Sequence, residues 1–247
     1  LYKEIRHRRL HFGALLCLVG ITLLSMPLLS FLNLFSSLFV PNAAAGLAEQ
    51  MTGGPGWMNI LFLAVIPAFS EEFVFRGVFF HGYRSHGFWK AALMSGLIFG
   101  LMHLNFNQFS YGFVLGVIFA AVVEASGSIY ASMAIHFLIN FQSAQAINAL
   151  TSLTASGVEE EGMLEISGAF QQTYLVTTVI VVGIVAIVTT ALVVVLVKLL
   201  AKLCDREVLN GGEKKALQKR GTSRLIDPFF IGAAAICILF MVSRLLI

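Results

Sequence analysis

"FSEEFVFRG", residues 69–77, sets Glu71, Glu72 and Arg76 among Phe69, Phe73, Val74 and Phe75, and the run goes on as Val78, Phe79 and Phe80. Three ionisable groups within six positions of an apolar segment admit two readings. The segment is either a polar loop between membrane helices or a buried site that does chemistry. The choice between them depends on what the rest of the chain builds around it.

The surroundings are oily. Of 247 residues, 58% are hydrophobic and only 12% charged, about half the charged fraction of a soluble domain. Several stretches approach or exceed the ~20 apolar residues that span a bilayer as helix. The fold class expected is therefore all-α, a polytopic membrane protein. Seven spans are predicted, near 10–35, 57–84, 88–106, 109–126, 128–150, 172–200 and 226–247. An eighth is allowed for if Leu10–Val40 hides a short second segment or if Pro67 divides span two. The run from Leu10 to Val40 exceeds the ~7–15 apolar residues of a signal peptide, so a retained first helix is expected. Cys17, Cys204 and Cys237 are scattered, which argues against a disulfide framework and against a cysteine metal site.

Charge tests the order of the spans. Lys3, Arg6, Arg8 and Arg9 precede the first, which puts the N-terminus in the cytoplasm by the positive-inside rule. Loop 41–56 holds Glu49 and no Lys or Arg, and loop 151–171 holds Glu159, Glu160, Glu161 and Glu165, again without a basic residue. Arg84 and Lys90 lie between spans two and three, and Lys198 to Arg224 bring eight basic residues between spans six and seven. The net charge of +3 says little as a total; its distribution matters, with nearly all the basic residues on the cytoplasmic side. The basic loop reads as a solvated tract, with attraction to anionic headgroups as its alternative. No nucleic-acid partner is expected. The whole chain is read as one integral membrane domain, with a core over 57–150, an N-terminal span at 10–40 and a C-terminal helix pair at 172–247. The sequence leaves the oligomeric state open.

Ionisable residues at membrane depth mark function by default. At ~1.5 Å rise per residue, Glu71 lies ~20 Å above Arg84, His103 ~22 Å above Phe88, and His136 and Asn140 ~14 and ~20 Å above Gly127. Glu72 and Arg76 share a helix face at i,i+4 and can pair, while Glu71, turned by about 100°, can face a cavity. His136 and Asn140 are also i,i+4, as are Phe99 and His103. Pro67 withholds a backbone donor one turn before Glu71, so a local kink is expected. Gly96/Gly100 and Gly112/Gly116 give GxxxG in spans three and four, which reads as close helix packing. Taken singly, Glu72–Arg76 reads as well as a structural ion pair, and His103 or His136–Asn140 as packing groups. Their common depth favours a site. Glu124 shows no partner pattern and is taken as a boundary residue; His7, His11, His81 and His86 are read as helix-end groups.

A carboxylate, two imidazoles and a carboxamide in an apolar bundle suit water-mediated amide cleavage. Glu71 is the expected general base, His103 holds the same water, and His136 and Asn140 stabilise the oxyanion. Arg76 is placed to keep the glutamate pair usable near neutral pH. Ser70 and Ser132 are the weaker, nucleophilic option.

"EEFVFR" (71–76), "FGLMH" (99–103) and "HFLIN" (136–140) resemble EExxxR, FxxxH and HxxxN, in the order found in the CAAX-protease and bacteriocin-processing family (CPBP, or Abi) of intramembrane proteases. The resemblance covers about 57–150. It implies an intramembrane endopeptidase of a bacterial cytoplasmic membrane, acting on a membrane-associated peptide or protein. Glu71 is its catalytic base, His103 the water-activating histidine, and His136 and Asn140 the oxyanion pair, with Glu72, Arg76 and Phe99 in support. The resemblance also leaves two mechanisms open: a metal-free glutamate protease, which is expected here, and a zinc enzyme using Glu71, His103 and His136. A non-proteolytic bacteriocin-immunity or scaffold protein and a proton-coupled carrier are the competing classes. The carrier is disfavoured, since no repeat with paired broken helices is visible.

Overall fold

The computed structural model describes residues 10–40, 55–155, 168–206, 226 and 228–245. The tracts that carry the charge argument for orientation, within 1–9, 41–54, 156–167 and 207–225, lie outside the described residues.

Seven helices and no strand are found among the described residues: α1 (Phe12–Ser37), α2 (Gly56–His86), α3 (Phe88–Leu101), α4 (Phe106–Ser126), α5 (Ile129–Ala155), α6 (Gly168–Leu203) and α7 (Pro228–Ser243). By length and composition, α1, α2, α4 and the Tyr174–Leu203 part of α6 can cross a membrane; Phe88–Leu101 and Phe230–Ser243 are shorter apolar helices. The chain is an integral membrane protein. Leu10–Val40 holds the single helix α1, and Pro67 does not divide α2.

Pro67 acts on α2 in a subtler way. The missing N–H removes one rung of the ladder, and the turn before it widens to π geometry over Leu61–Val65, closed by Ile66 N–H donating to Leu61 O. A second π stretch, Phe73–Phe80, follows Glu72 directly. There Ser95 of α3, fully buried, donates from Oγ to the Phe75 carbonyl at 2.8 Å. The two widened turns bracket Glu71 and Glu72, so they set the rotation at which the two carboxylates leave the helix.

α3 is shorter than its apolar run suggests. It ends at Leu101, not near 106, and His103 lies in the turn that follows. The chain reverses through Leu104, with φ of 52°, into Asn105, whose side chain accepts from Gln108 N–H at 3.0 Å and caps α4. Fourteen residues make ~21 Å of helix, less than the ~30 Å hydrocarbon core. His103 is thus a helix-end group, but one brought to the middle of the bundle.

α4 runs through the centre, with no residue exposed along its length. Its crossing with α3 is as tight as a helix pair allows. A Cβ on Gly116 would lie 2.5 Å from Gly96 Cα, and one on Gly96 would lie 2.9 Å from Phe113 O. The two GxxxG pairs therefore pack against each other, backbone to backbone. α1 lies along α6, where Gly20 meets Leu196 and Gly183 meets Phe31. The core is shared by Leu18, Ile21, Phe99, Phe119, Ile135 and Leu200.

At the end of the bundle where α2, α4 and α6 finish, Arg84 donates to both carboxylate oxygens of Glu124 and Arg206 Nε donates to Glu124 O at 3.2 Å. Glu124 was expected to be an unpartnered boundary residue; instead it holds three helix ends, because the bundle brings Arg84 forty positions back onto it. His11 has the helix-end role expected of it, capping α1 at Ala14 N–H and meeting Leu203 O at 2.8 Å.

Gly116→Ala is expected to force α3 and α4 apart and lower the thermal midpoint in detergent, in line with the ~1–3 kcal/mol of an overpacked site. Gly82→Ala, which meets nothing within 4 Å, is expected to leave it unchanged or raise it, since Ala is the better helix former by about 1 kcal/mol. Equal midpoints for the two variants would mean that the crossing is not close-packed.

Candidate active site

Glu71 sits at the midpoint of α2, ~22 Å of helix from either end. Its neighbour Glu72 is fully buried, and Arg76, one turn on, is 2% exposed. Their side chains pair through Arg76 Nη1 and Glu72 Oε1 at 2.8 Å. Burial of two charges in an apolar bundle is costly, and attraction offsets the cost only with further polar contacts. Those contacts come from three other helices. Arg76 Nη2 donates to Gly116 O of α4 at 3.1 Å, reachable because a glycine leaves that carbonyl uncovered. The guanidinium lies between the rings of Phe99 (4.6 Å) and Phe119 (4.9 Å). Their π faces stabilise the cation where hydrogen bonds are lacking. Glu72 Oε1 accepts from His136 Nδ1 of α5 at 2.9 Å. Glu72 Oε2 and Arg76 Nε remain buried without a partner among the described residues.

The bond from Glu72 decides the state of His136. With Nδ1–H committed to a carboxylate, Nε2 is the atom turned to the rest of the site. It lies 3.8 Å from Glu71 Oε2, on a side chain that keeps 23% of its surface exposed. The imidazole therefore bridges the two glutamates, one buried and one open. Phe119 stacks on it at 5.0 Å with rings inclined by 29°, and Phe99 meets it edge-on at 5.9 Å.

His103 stands on the other side of the same aromatic ring, 5.2 Å from Phe99 and nearly perpendicular to it. Its Nδ1 meets Phe99 O at 2.8 Å. In the tautomer that donates there, Nε2 is left as an acceptor. Asn140 lies one helical turn beyond His136 on α5 and is partly exposed.

Of the residues singled out from sequence, Glu71, Glu72, Arg76, Phe99 and His136 form one connected group, and His103 joins it through Phe99. The pairing differs from expectation in one respect. Glu72 is held by Arg76 and His136 together, so His136 is divided between the two glutamates and does not serve Glu71 alone. Phe119 and the Gly116 carbonyl were missed. They fall at i+7 and i+4 from Gly112, so the helical repeat of the glycine motif was the available signal. Ser70 and Ser132 spend their hydroxyls on Ile66 O and Ile129 O of their own helices, and neither reaches a histidine.

Residues 53–142 match the family model described as Rce1-like, Type II CAAX prenyl endopeptidase Rce1-like. The match is to the CAAX-protease family. It spans α2 to the first half of α5 and so takes in every group of the site, while α1, α6 and α7 lie outside it. A CAAX-type protease activity accords with that match. No curated protein and no solved structure matches the chain.

Glutamate and two histidines can bind zinc, and their placement tests it. Among the described residues no three His, Cys, Asp or Glu side chains form a group able to hold a metal ion. His136 and His103 each have Nδ1 engaged, on Glu72 and on Phe99 O, which leaves Nε2 of both rings open as in a metal-ligating histidine. As placed, however, Glu71, His103 and His136 do not come together as one ligand group, and no step below runs through a metal.

Arg76→Met strands a buried carboxylate and is expected to cost about 3–5 kcal/mol. Adding Glu72→Gln is expected to restore much of that loss. Thermal unfolding of the two single variants and the double variant checks this, and additive losses would show that the two side chains do not act as a pair.

Proposed function

We propose that this protein is an intramembrane endopeptidase that hydrolyses a peptide bond of a membrane-associated peptide or protein. The observation that carries this reading is the inequality of two adjacent glutamates. Glu72 is buried and bound on two sides, while Glu71 is partly open and faces an imidazole whose orientation Glu72 holds. A carboxylate with nothing structural to do, beside an oriented histidine, suits proton abstraction from water.

In this mechanism Glu71 takes a proton from the water that attacks the scissile carbonyl. The carbonyl carbon gains a C–O bond and its oxygen becomes the oxyanion. His103 accepts a hydrogen bond from the same water through Nε2. His136, carrying a proton on Nε2 as well as on Nδ1, and Asn140, one turn apart on α5, donate to the oxyanion. Collapse of the intermediate breaks the C–N bond, and the proton held by Glu71 passes to the leaving amine. Arg76, Glu72, Phe99 and Phe119 touch no substrate atom; they hold the orientation of His136 and His103. Seven membrane crossings with the N-terminus in the cytoplasm, in a bacterial cytoplasmic membrane, complete the reading; its support is the charge pattern of the loops.

Glu71→Gln is expected to lower cleavage by about 10²–10⁴-fold with the thermal midpoint unchanged. The readout is the membrane peptidome of cells carrying either form, followed by assay of the products that differ. Retained activity in a folded Glu71→Gln protein would sink the proposal. Activity is further expected to survive chelation of the purified protein, measured beside its metal content; stoichiometric zinc lost together with activity would require a metal mechanism instead.

A further inference from the structure

A hydroxyl inside a membrane helix has a carbonyl of its own helix within reach, three or four residues back. Thr22, Ser25, Ser70, Ser126, Ser132 and Thr190 all take it. Ser95 does not. It is fully buried in α3, and its Oγ donates across to Phe75 O of α2 at 2.8 Å. That carbonyl lies in the stretch Phe73–Phe80, where the ladder has widened to π geometry. A carbonyl oxygen has two lone pairs, and a widened turn leaves one of them open to a donor from outside the helix. The first π stretch of α2 has Pro67 as its cause. The second contains no Pro, and it is Ser95 that meets it from outside.

The bond falls at the peptide that leads into Arg76. On α3, Phe99 follows Ser95 at i+4 and grips the same two residues of α2. Its ring meets Phe75 edge-on at 5.1 Å and lies 4.6 Å from the Arg76 guanidinium. His103 comes four residues after Phe99, in the turn that ends α3. Gly96, beside Ser95, rests on α4 at the glycine crossing, so α3 is held between its two neighbours at one level. Closing the widened turn to α geometry would rotate Arg76 relative to Glu72 about the helix axis. The guanidinium would then leave Phe99, Phe119 and Gly116 O, and Glu72 would lose the partner that shares it with His136.

We propose that Ser95 is a positioning residue of the proteolytic site. By holding the Phe75 carbonyl it keeps the Phe73–Phe80 turn widened, and so keeps Glu72, Arg76 and His136 in register with Phe99 and His103. Ser95 touches no substrate atom, and its role rests on the protease reading.

Two readouts test it, one of them without proteolysis. Ser95→Ala removes the donor; Ser95→Cys keeps the space filled and offers only a weak one. Ser25→Ala, which deletes an equally buried hydroxyl bonded within α1, is the control. In bilayers, nitrogen-15 histidine NMR follows the Nδ1 proton that His136 donates to Glu72, its line assigned by its absence from His136→Gln. Exchange of that proton with water is expected to quicken at least about tenfold in Ser95→Ala, less in Ser95→Cys, and not in Ser25→Ala. Cleavage of a substrate found by the peptidome comparison is expected to lose about 10–10²-fold in kcat in Ser95→Ala, with KM within about twofold. A proton unmoved in both Ser95 variants, or moved as much in Ser25→Ala, overturns the proposal. So does a Ser95→Ala protein that cleaves at the full rate, because Ser95 would then serve the fold alone. An unmoved proton leaves the Glu71→Gln result as it stands, and a failure of that result leaves the NMR readout to decide whether Ser95 holds the array.

Discussion

A carboxylate and a guanidinium buried together at mid-bundle make the most demanding contact in the molecule. Glu72 and Arg76 have given up their water, and attraction between them does not by itself offset that loss. Each neighbouring helix contributes something to the balance. α4 supplies a backbone carbonyl and an aromatic face, α3 a second aromatic face, and α5 a histidine proton. The ion pair is weak as a source of stability and strong as a specification. Few arrangements of four helices satisfy it, and the observed one brings the motif residues together.

The glycines belong to that same constraint. The approach of Gly96 to Gly116 was expected as packing, and it is packing. It also draws α4 close enough for Gly116 O to reach Arg76 and for Phe119 to cover the guanidinium and stack on His136. A side chain at position 116 would separate the helices and come within 3.4 Å of Arg76 Nη2. Helix association in lipid lacks a hydrophobic driving force, so close backbones and buried polar contacts carry it together. Here both are met at one crossing.

Two adjacent glutamates end up with different work because a helix turns by about 100° per residue. Glu72 faces inward and is consumed by structure; Glu71 faces the opening. His136 couples them, bonded to one and turned towards the other. The buried pair thereby orients the imidazole, and an orienting group behind a histidine is a recurrent arrangement wherever such a ring handles protons. The rings of Phe99 and Phe119 cover the guanidinium of Arg76 and the imidazole of His136 from the interior.

Much of this could be read along the chain. The helical class, the placement of α1, α2, α5 and α6, the Glu72–Arg76 pair and the shared face of His136 and Asn140 follow from apolar length and i,i+4 spacing, which are local properties of a helix. The end of α3 was misread because its apolar run passes through a turn without Gly or Pro; the Asn105–Gln108 cap was the available mark. Three things required the folded chain: the division of His136 between two glutamates, the aromatic box around Arg76, and the Arg84–Glu124–Arg206 clasp. Each joins residues more than 20 positions apart. Spacing along one helix says which side chains share a face, but which faces meet depends on how closely the helices approach. That approach is governed by backbone contact at Gly96 and Gly116, a relation between two helices that neither segment contains alone.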